Sequence, residues 1–167
     1  LGIYTSGRLD VQVIPMLMSD EVWQHPLCSA FDVGLRDRLR AAAEQAEALA
    51  AEGDALPWLT SHGDACPNNL LDDGSGDVVM IDFGYWGGAP VGFDLQCLLV
   101  GDVQIGKRSA ATLAEVDETI IAAYVEGLRA EGCDIPEAVV RRSHAIRSLL
   151  MTGLSTVPVD LFDRPVT

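Results

Sequence analysis

Between Asn69 and Asp82 the sequence runs apolar, acidic, apolar: Leu70-Leu71, then Asp72-Asp73-Gly74-Ser75-Gly76-Asp77, then Val78-Val79-Met80-Ile81. Two short aliphatic runs around a turn rich in Gly and Asp read as a tight β-hairpin. A hairpin brings its ends together, and this one carries Asn69 before its first strand and Asp82 after its second. Asp64 lies on the loop that feeds the first strand. Three oxygen-bearing side chains are therefore expected to face one point.

Oxygens of this kind suit Mg²⁺, a hard cation that takes one or two carboxylates and completes its shell with water and phosphate oxygens. The matching chemistry is phosphoryl transfer, in which the protein mostly positions groups and neutralises charge. Asp64 would accept or orient the proton of an attacking hydroxyl, and Asn69 and Asp82 would hold the metal that bridges the nucleotide phosphates. Gly84, after Phe83, would let the backbone turn sharply as it leaves the second strand. Solvated turn acids alone account for Asp72 and Asp73, but not for the spacing of Asp64, Asn69 and Asp82.

His62-Gly63-Asp64 with Asn69, followed by Asp82-Phe83-Gly84, resembles the catalytic and metal-binding loops of the aminoglycoside phosphotransferase and choline kinase family, small-molecule relatives of the protein kinases. The resemblance implies an α+β, mainly helical C-terminal lobe of a protein-kinase-like fold with a catalytic β-hairpin. It implies Asp64 as base, Asn69 and Asp82 as Mg²⁺ ligands, Asn69, Asp82, Phe83 and Gly84 on the side of the nucleotide, and ATP or GTP as phosphoryl donor. At the place of Asp94 the family carries an Asp that braces the catalytic loop through backbone amides; a helix N-cap is the alternative for this residue. His62 reads as scaffold, its ring buried against backbone, and not as the base. Where a protein kinase has Arg between His and Asp, this chain has Gly63, which favours a small-molecule hydroxyl on an aminoglycoside-like, amino-alcohol or sugar substrate.

In the family a nucleotide-gripping lobe precedes this loop, with a strand Lys and a helix Glu. Here the single lysine, Lys107, falls after the site and the first residue is Leu1. The expectation is that residues 21–167 form the catalytic and substrate-binding lobe, and that residues 1–20, with an edge strand over Leu9 to Met18 around Pro15, are the hinge of a missing nucleotide-binding lobe. Such a piece would transfer no phosphate alone. A non-catalytic or truncated kinase-like module that binds a partner or metabolite is the competing reading, and retention of Asp64, Asn69 and Asp82 counts against degeneracy.

The 167 residues carry a net charge of −14, which argues against nucleic-acid or anionic-membrane partners and is compatible with a cationic substrate, although solubility explains it too. No apolar run reaches the roughly 18 residues that span a bilayer. Cys28, Cys66, Cys97 and Cys133 form no Cys-x-x-Cys pair and read as reduced thiols of a cytoplasmic protein. Elsewhere the pattern predicts a helix over Val33 to Glu52 stopped by Gly53, a flexible Gly-rich linker over Tyr85 to Gly92 with Trp86 either in a cleft wall or in the core, and a short buried helix over Phe93 to Val100. A capping box at Thr112 to Glu115 opens a helix to about Ala130, with Glu115, Asp117, Glu118 and Glu126 on a solvated face, contact with an amine substrate being the alternative. Asp134 to Glu137 opens another to about Met151, with Gly153 beyond it, and the tail from Leu154 reads as loop.

Overall fold

The computed structural model describes residues 5–158 and 162, the first two of them by backbone alone. The chain divides into two units, Leu1–Ala55 with Ile146–Thr167, and Leu56–Ala145.

The first unit opens on a π-helical run, Thr5–Val13, interrupted at Gly7 (φ −101°, ψ −121°), and continues as α1 (Ile14–Met18) and α2 (Asp20–Trp23). The edge strand expected over Leu9 to Met18 is therefore helical. Burial gives the reason: Leu9, Val13 and Leu17, four residues apart, are 0%, 4% and 1% exposed, whereas Val11, which a strand would turn the same way, is 77% exposed. Pro15 sits in the first turn of α1, where a missing N–H costs no helical bond. The Leu17 carbonyl accepts from Trp23 Nε1 at 2.7 Å and Arg40 Nε at 2.9 Å, and Arg40 also pairs with Asp20 at 2.7 Å.

Asp32 caps α3 (Val33–Glu44), its Oδ1 accepting from Leu35 N at 2.7 Å. The single helix expected over 33–52 is two, because the backbone leaves helical geometry at Gln45 (φ −100°, ψ 0°) and resumes as α4 (Ala46–Asp54). Gly53, expected as a stop, is buried inside α4. Leu39, Ala43, Ala46 and Ala50 of these helices pack with Leu9, Val13, Leu17, Ile146, Leu150 and Leu154 in one core. The tail does not begin as loop: Leu154–Thr156 is a 3-10 turn with Leu154 fully buried. The remainder of that expectation, residues 159–161 and 163–167, lies outside the described residues.

The second unit holds two antiparallel pairs. β1 (Trp58–Ser61) pairs with β4 (Gly87–Pro90), from Trp58 opposite Pro90 to Ser61 opposite Gly87. β2 (Leu70–Asp72) pairs with β3 (Val78–Met80), from Leu70 opposite Met80 to Asp72 opposite Val78, around the acidic turn. The span expected as a flexible linker thus contains β4, whose Gly88 stands opposite Thr60.

The unit also holds α5 (Leu95–Gln104), α6 (Leu113–Ala130) and α7 (Glu137–Ser148) as far as Ala145, with Val91, Leu95, Ile121, Val125 and Val140 in its core. The capping box at Thr112 does not form. Thr112 is already helical and its hydroxyl donates back to Ser109 O at 2.9 Å, while Ser109 Oγ accepts from Ala111 N and caps the preceding 3-10 turn. Two acids expected on a solvated face are paired with α7: Asp117 with His144 and Glu118 with Arg141, each at 2.7 Å. The Arg141 guanidinium holds the Glu118 carboxyl below the usual carboxylate range. After α7 a π-helical turn, Leu149–Gly153, takes in the glycine expected beyond the helix. All four cysteines are free, and no helix among the described residues is long and apolar enough to cross a membrane.

Truncating Leu150, fully buried in the first core, to Ala should cost about 2–5 kcal/mol. Urea denaturation checks this, and a loss below about 1 kcal/mol would contradict the packing described.

Candidate functional site

The site is built on one carboxylate. Asp94 stands just before α5, and its two oxygens take donors from the end of β1 and the residues that follow. Ser61 Oγ donates to Oδ2 at 2.8 Å, His62 N to Oδ2 at 2.9 Å, and Gly63 N to Oδ1 at 2.8 Å. Gly63 N also reaches Ser61 Oγ at 3.1 Å, which closes a small ring of bonds. Asp94 itself is in helical conformation and makes no side-chain cap bond, so of the two roles open to it the carboxylate performs the one directed at the 61–63 backbone. Ser61 escaped sequence reading, since a lone Ser at a strand end carries no local signal.

His62 is 3% exposed. Its Nε2 lies 2.9 Å from the Ile81 carbonyl, which can only accept, and its Nδ1 accepts from Asp64 N at 3.4 Å. The tautomer protonated at Nε2 satisfies both contacts. Both ring nitrogens are thus engaged by the backbone. Its ring packs on Phe83 (centroids 4.9 Å apart), whose edge meets Trp86 at 5.5 Å. Trp86 is 56% exposed, so it forms surface and not core.

Gly63 has φ +84°, and a β-carbon there would collide with the Tyr85 carbonyl oxygen and lie 2.6 Å from the Tyr85 β-carbon. The 61–64 loop therefore lies backbone to backbone on the segment after β3. No side chain fits at that position, Arg included.

Asp64 and Asn69 are in direct contact. The 3-10 turn Pro67–Asn69, with Asn69 N donating to Cys66 O at 2.9 Å, swings the Asn69 amide back over the loop. Its Nδ2 donates to Asp64 O at 2.8 Å and to Asp64 Oδ2 at 3.3 Å. The donor is thus engaged, and the amide oxygen is the open end of this side chain. Close packing fixes the turn from behind: a β-carbon on Gly101 of α5 would lie 2.9 Å from Pro67 and 3.3 Å from Cys66. Lys107, the one lysine of the sequence, donates to Asn68 Oδ1 at 2.9 Å.

Asp82 is reached through the ladder. Ile81 N donates to Asn69 O at 3.0 Å, which extends the β2–β3 pairing one step and puts Asp82 immediately after the residue opposite Asn69. The sharp exit from the strand is made by Asp82 itself (φ +62°) and not by Gly84. Aspartate is one of the few residues besides glycine that enter this region readily. A β-carbon on Gly84 would meet Asp82 Oδ1 at an ordinary 3.5 Å. The Asp82 side chain is exposed, and among the described residues it makes no hydrogen bond to Asp64 or Asn69. What joins them is the Asn69–Ile81 backbone bond.

The open donors at the hairpin's end are one amide oxygen and one carboxylate, with the Asp64 carboxylate beside the amide. Among the described residues no group of three or more His, Cys, Asp or Glu side chains is placed to hold a metal ion. A small set of hard oxygens suits Mg²⁺, which keeps water and phosphate in its shell, and does not suit Zn²⁺, which asks for four ligands rich in nitrogen and sulfur.

Two substitutions test this architecture. Gly63→Ala should lower stability by more than the roughly 1–2 kcal/mol of a left-handed residue, because Tyr85 must also move; an unchanged melting temperature would contradict the close approach. Asp94→Asn turns one acceptor into a donor facing other donors and should cost about 1–3 kcal/mol in urea denaturation. Unaltered stability would show that the 61–63 backbone is held by something else.

Residues 18–133 match the profile of the phosphotransferase enzyme family (APH). The match takes in the braced loop, both strand pairs, α5 and α6. No curated protein and no solved structure matches the chain. With well over half of the 167 residues covered, the chain belongs to the phosphotransferase enzyme family.

Proposed function

We propose that this chain carries the phosphoryl-transfer site of a nucleotide-dependent kinase that acts on the hydroxyl of a small molecule. The observation that supports it most is the contact of Asp64 with Asn69 on a loop whose backbone is fixed by Asp94. Asp64 Oδ2 faces the Asn69 amide, which leaves Oδ1 for an incoming alcohol. A carboxylate so placed orients the hydroxyl and takes its proton as the new O–P bond forms and the bond from the γ-phosphorus to the bridging oxygen breaks, the nucleoside diphosphate leaving. Asn69 Oδ1 and Asp82 are the residues to hold Mg²⁺, which when bound neutralises charge on the phosphates of ATP or GTP.

A small substrate is favoured over a protein one by Gly63, since the loop has no room for the Arg that protein kinases carry there. The charge of −14 favours a cationic acceptor, an aminoglycoside-like compound or another amino-alcohol or amino sugar. Four free cysteines fit a reducing, cytoplasmic compartment. The only lysine is engaged by Asn68, so a lysine that grips the nucleotide phosphates would have to come from outside these residues.

In the intact enzyme Asp64→Asn should reduce turnover by about 10²–10⁴ while leaving nucleotide affinity nearly unchanged, as expected when a proton-accepting group is lost. Nucleotide consumption with a panel of hydroxyl-bearing amines and sugars measures it, and undiminished turnover would remove Asp64 from the role of base. Residues 1–167 alone should transfer no phosphate; a measurable ATP-dependent rate from them would overturn the need for a further nucleotide-binding part.

A further inference from the structure

We propose that Tyr124, on α6, is a positioning residue for the loop that carries Asp64, acting through the Gly92 turn and Asp94. This rests on reading that loop as the catalytic one.

The turn between β4 and α5 is held in several ways. Val91 and Leu95 are buried in the core, Val91 N donates to Pro57 O at 2.8 Å, Phe93 N to Pro90 O at 3.1 Å, and Leu95 N to Gly92 O at 3.2 Å. Gly92, between them, is buried with φ +76°, and a β-carbon there would sit 3.4 Å from both Leu95 and Val140. Its N–H finds no backbone acceptor in that conformation. It donates instead to Tyr124 Oη at 3.1 Å, across thirty-two residues of sequence.

Two residues further on, Asp94 collects Ser61, His62 and Gly63. A buried N–H without a partner is costly, so loss of the phenol oxygen would open the turn toward water. That motion is transmitted to Asp94 because only Phe93 separates it from Gly92. Burial raises the Tyr124 phenol above its ordinary value, the Gly92 N–H opposes this and the Asp94 charge adds to it, so the hydroxyl stays neutral. The ring packs against the second unit's core independently of the hydroxyl, which makes the two contributions separable.

The test is amide hydrogen exchange by NMR on the 167-residue chain, comparing the unmutated protein with Tyr124→Phe and with Leu128→Ala. The second variant loosens the same core without touching Gly92. Tyr124→Phe should speed exchange at Gly92, His62 and Gly63 by about tenfold or more and leave Ile121 and Val125 within about twofold, a local opening and not a global one. Leu128→Ala should give the reverse pattern. Acceleration confined to Gly92, or equal at all five amides, would overturn the proposal.

In the intact enzyme Tyr124→Phe should lower kcat by about fivefold or more with KM for both substrates little changed, the signature of an interaction felt only in the transition state. Lost loop protection with unchanged kcat would also overturn the positioning role. If the unmutated enzyme phosphorylates nothing, the kinase reading fails, and the exchange pattern still decides whether Tyr124 holds the loop.

Discussion

The carboxylate of Asp94 is what the candidate site hangs on. Ser61 and His62 are 7% and 3% exposed, so water has little access to the groups they direct at Asp94. Each such group left unmet would cost about 1–3 kcal/mol, against a whole-domain stability of only about 5–15 kcal/mol. Most loops satisfy their backbone with solvent and move accordingly. This one is folded inward onto a charge, and Asp64, the next residue, inherits a fixed position.

Ile81 supplies the complementary constraint from the hairpin. Its side chain is 40% exposed and contributes little core, yet both its backbone groups are engaged. The N–H goes to Asn69 O at 3.0 Å, and the carbonyl faces His62 Nε2 at 2.9 Å. A single residue thereby ties Asn69, His62 and the approach to Asp82 to one another. The left-handed backbone of Asp82 is a modest local strain of the kind that concentrates at functional positions and persists only where its surroundings hold it.

What could be read directly from sequence was local. The hairpin, its turn and the spacing of Asp64, Asn69 and Asp82 lie within nineteen consecutive residues, and the course of α6 follows from its apolar repeat. Leu9 to Met18 was ambiguous because a short apolar run fits strand or helix equally, and Pro15, taken as an edge-strand mark, suits a helix start as well. At Asp94 a carboxylate ahead of a helix leaves cap and brace both open to local reading, the brace coming from the resemblance, and in the fold it is turned toward residues thirty-one to thirty-three positions earlier. Ser61 and the Tyr124 bond to Gly92 are of the same long-range kind. Composition points to Gly84 for the sharp turn, whereas the chain places it at Asp82, where the side chain must be re-aimed.

The central claim is that Asn69 and Asp82 serve one divalent ion beside Asp64. Paramagnetic broadening by substoichiometric Mn²⁺ tests it most directly, read on assigned amide signals of the chain. The account predicts that Asp64, Asn69 and Asp82 broaden together and that Asp82→Ala abolishes the effect at all three. Broadening that appears only at the acidic turn, Asp72 to Asp77, or that survives Asp82→Ala at Asp64 and Asn69, would contradict it.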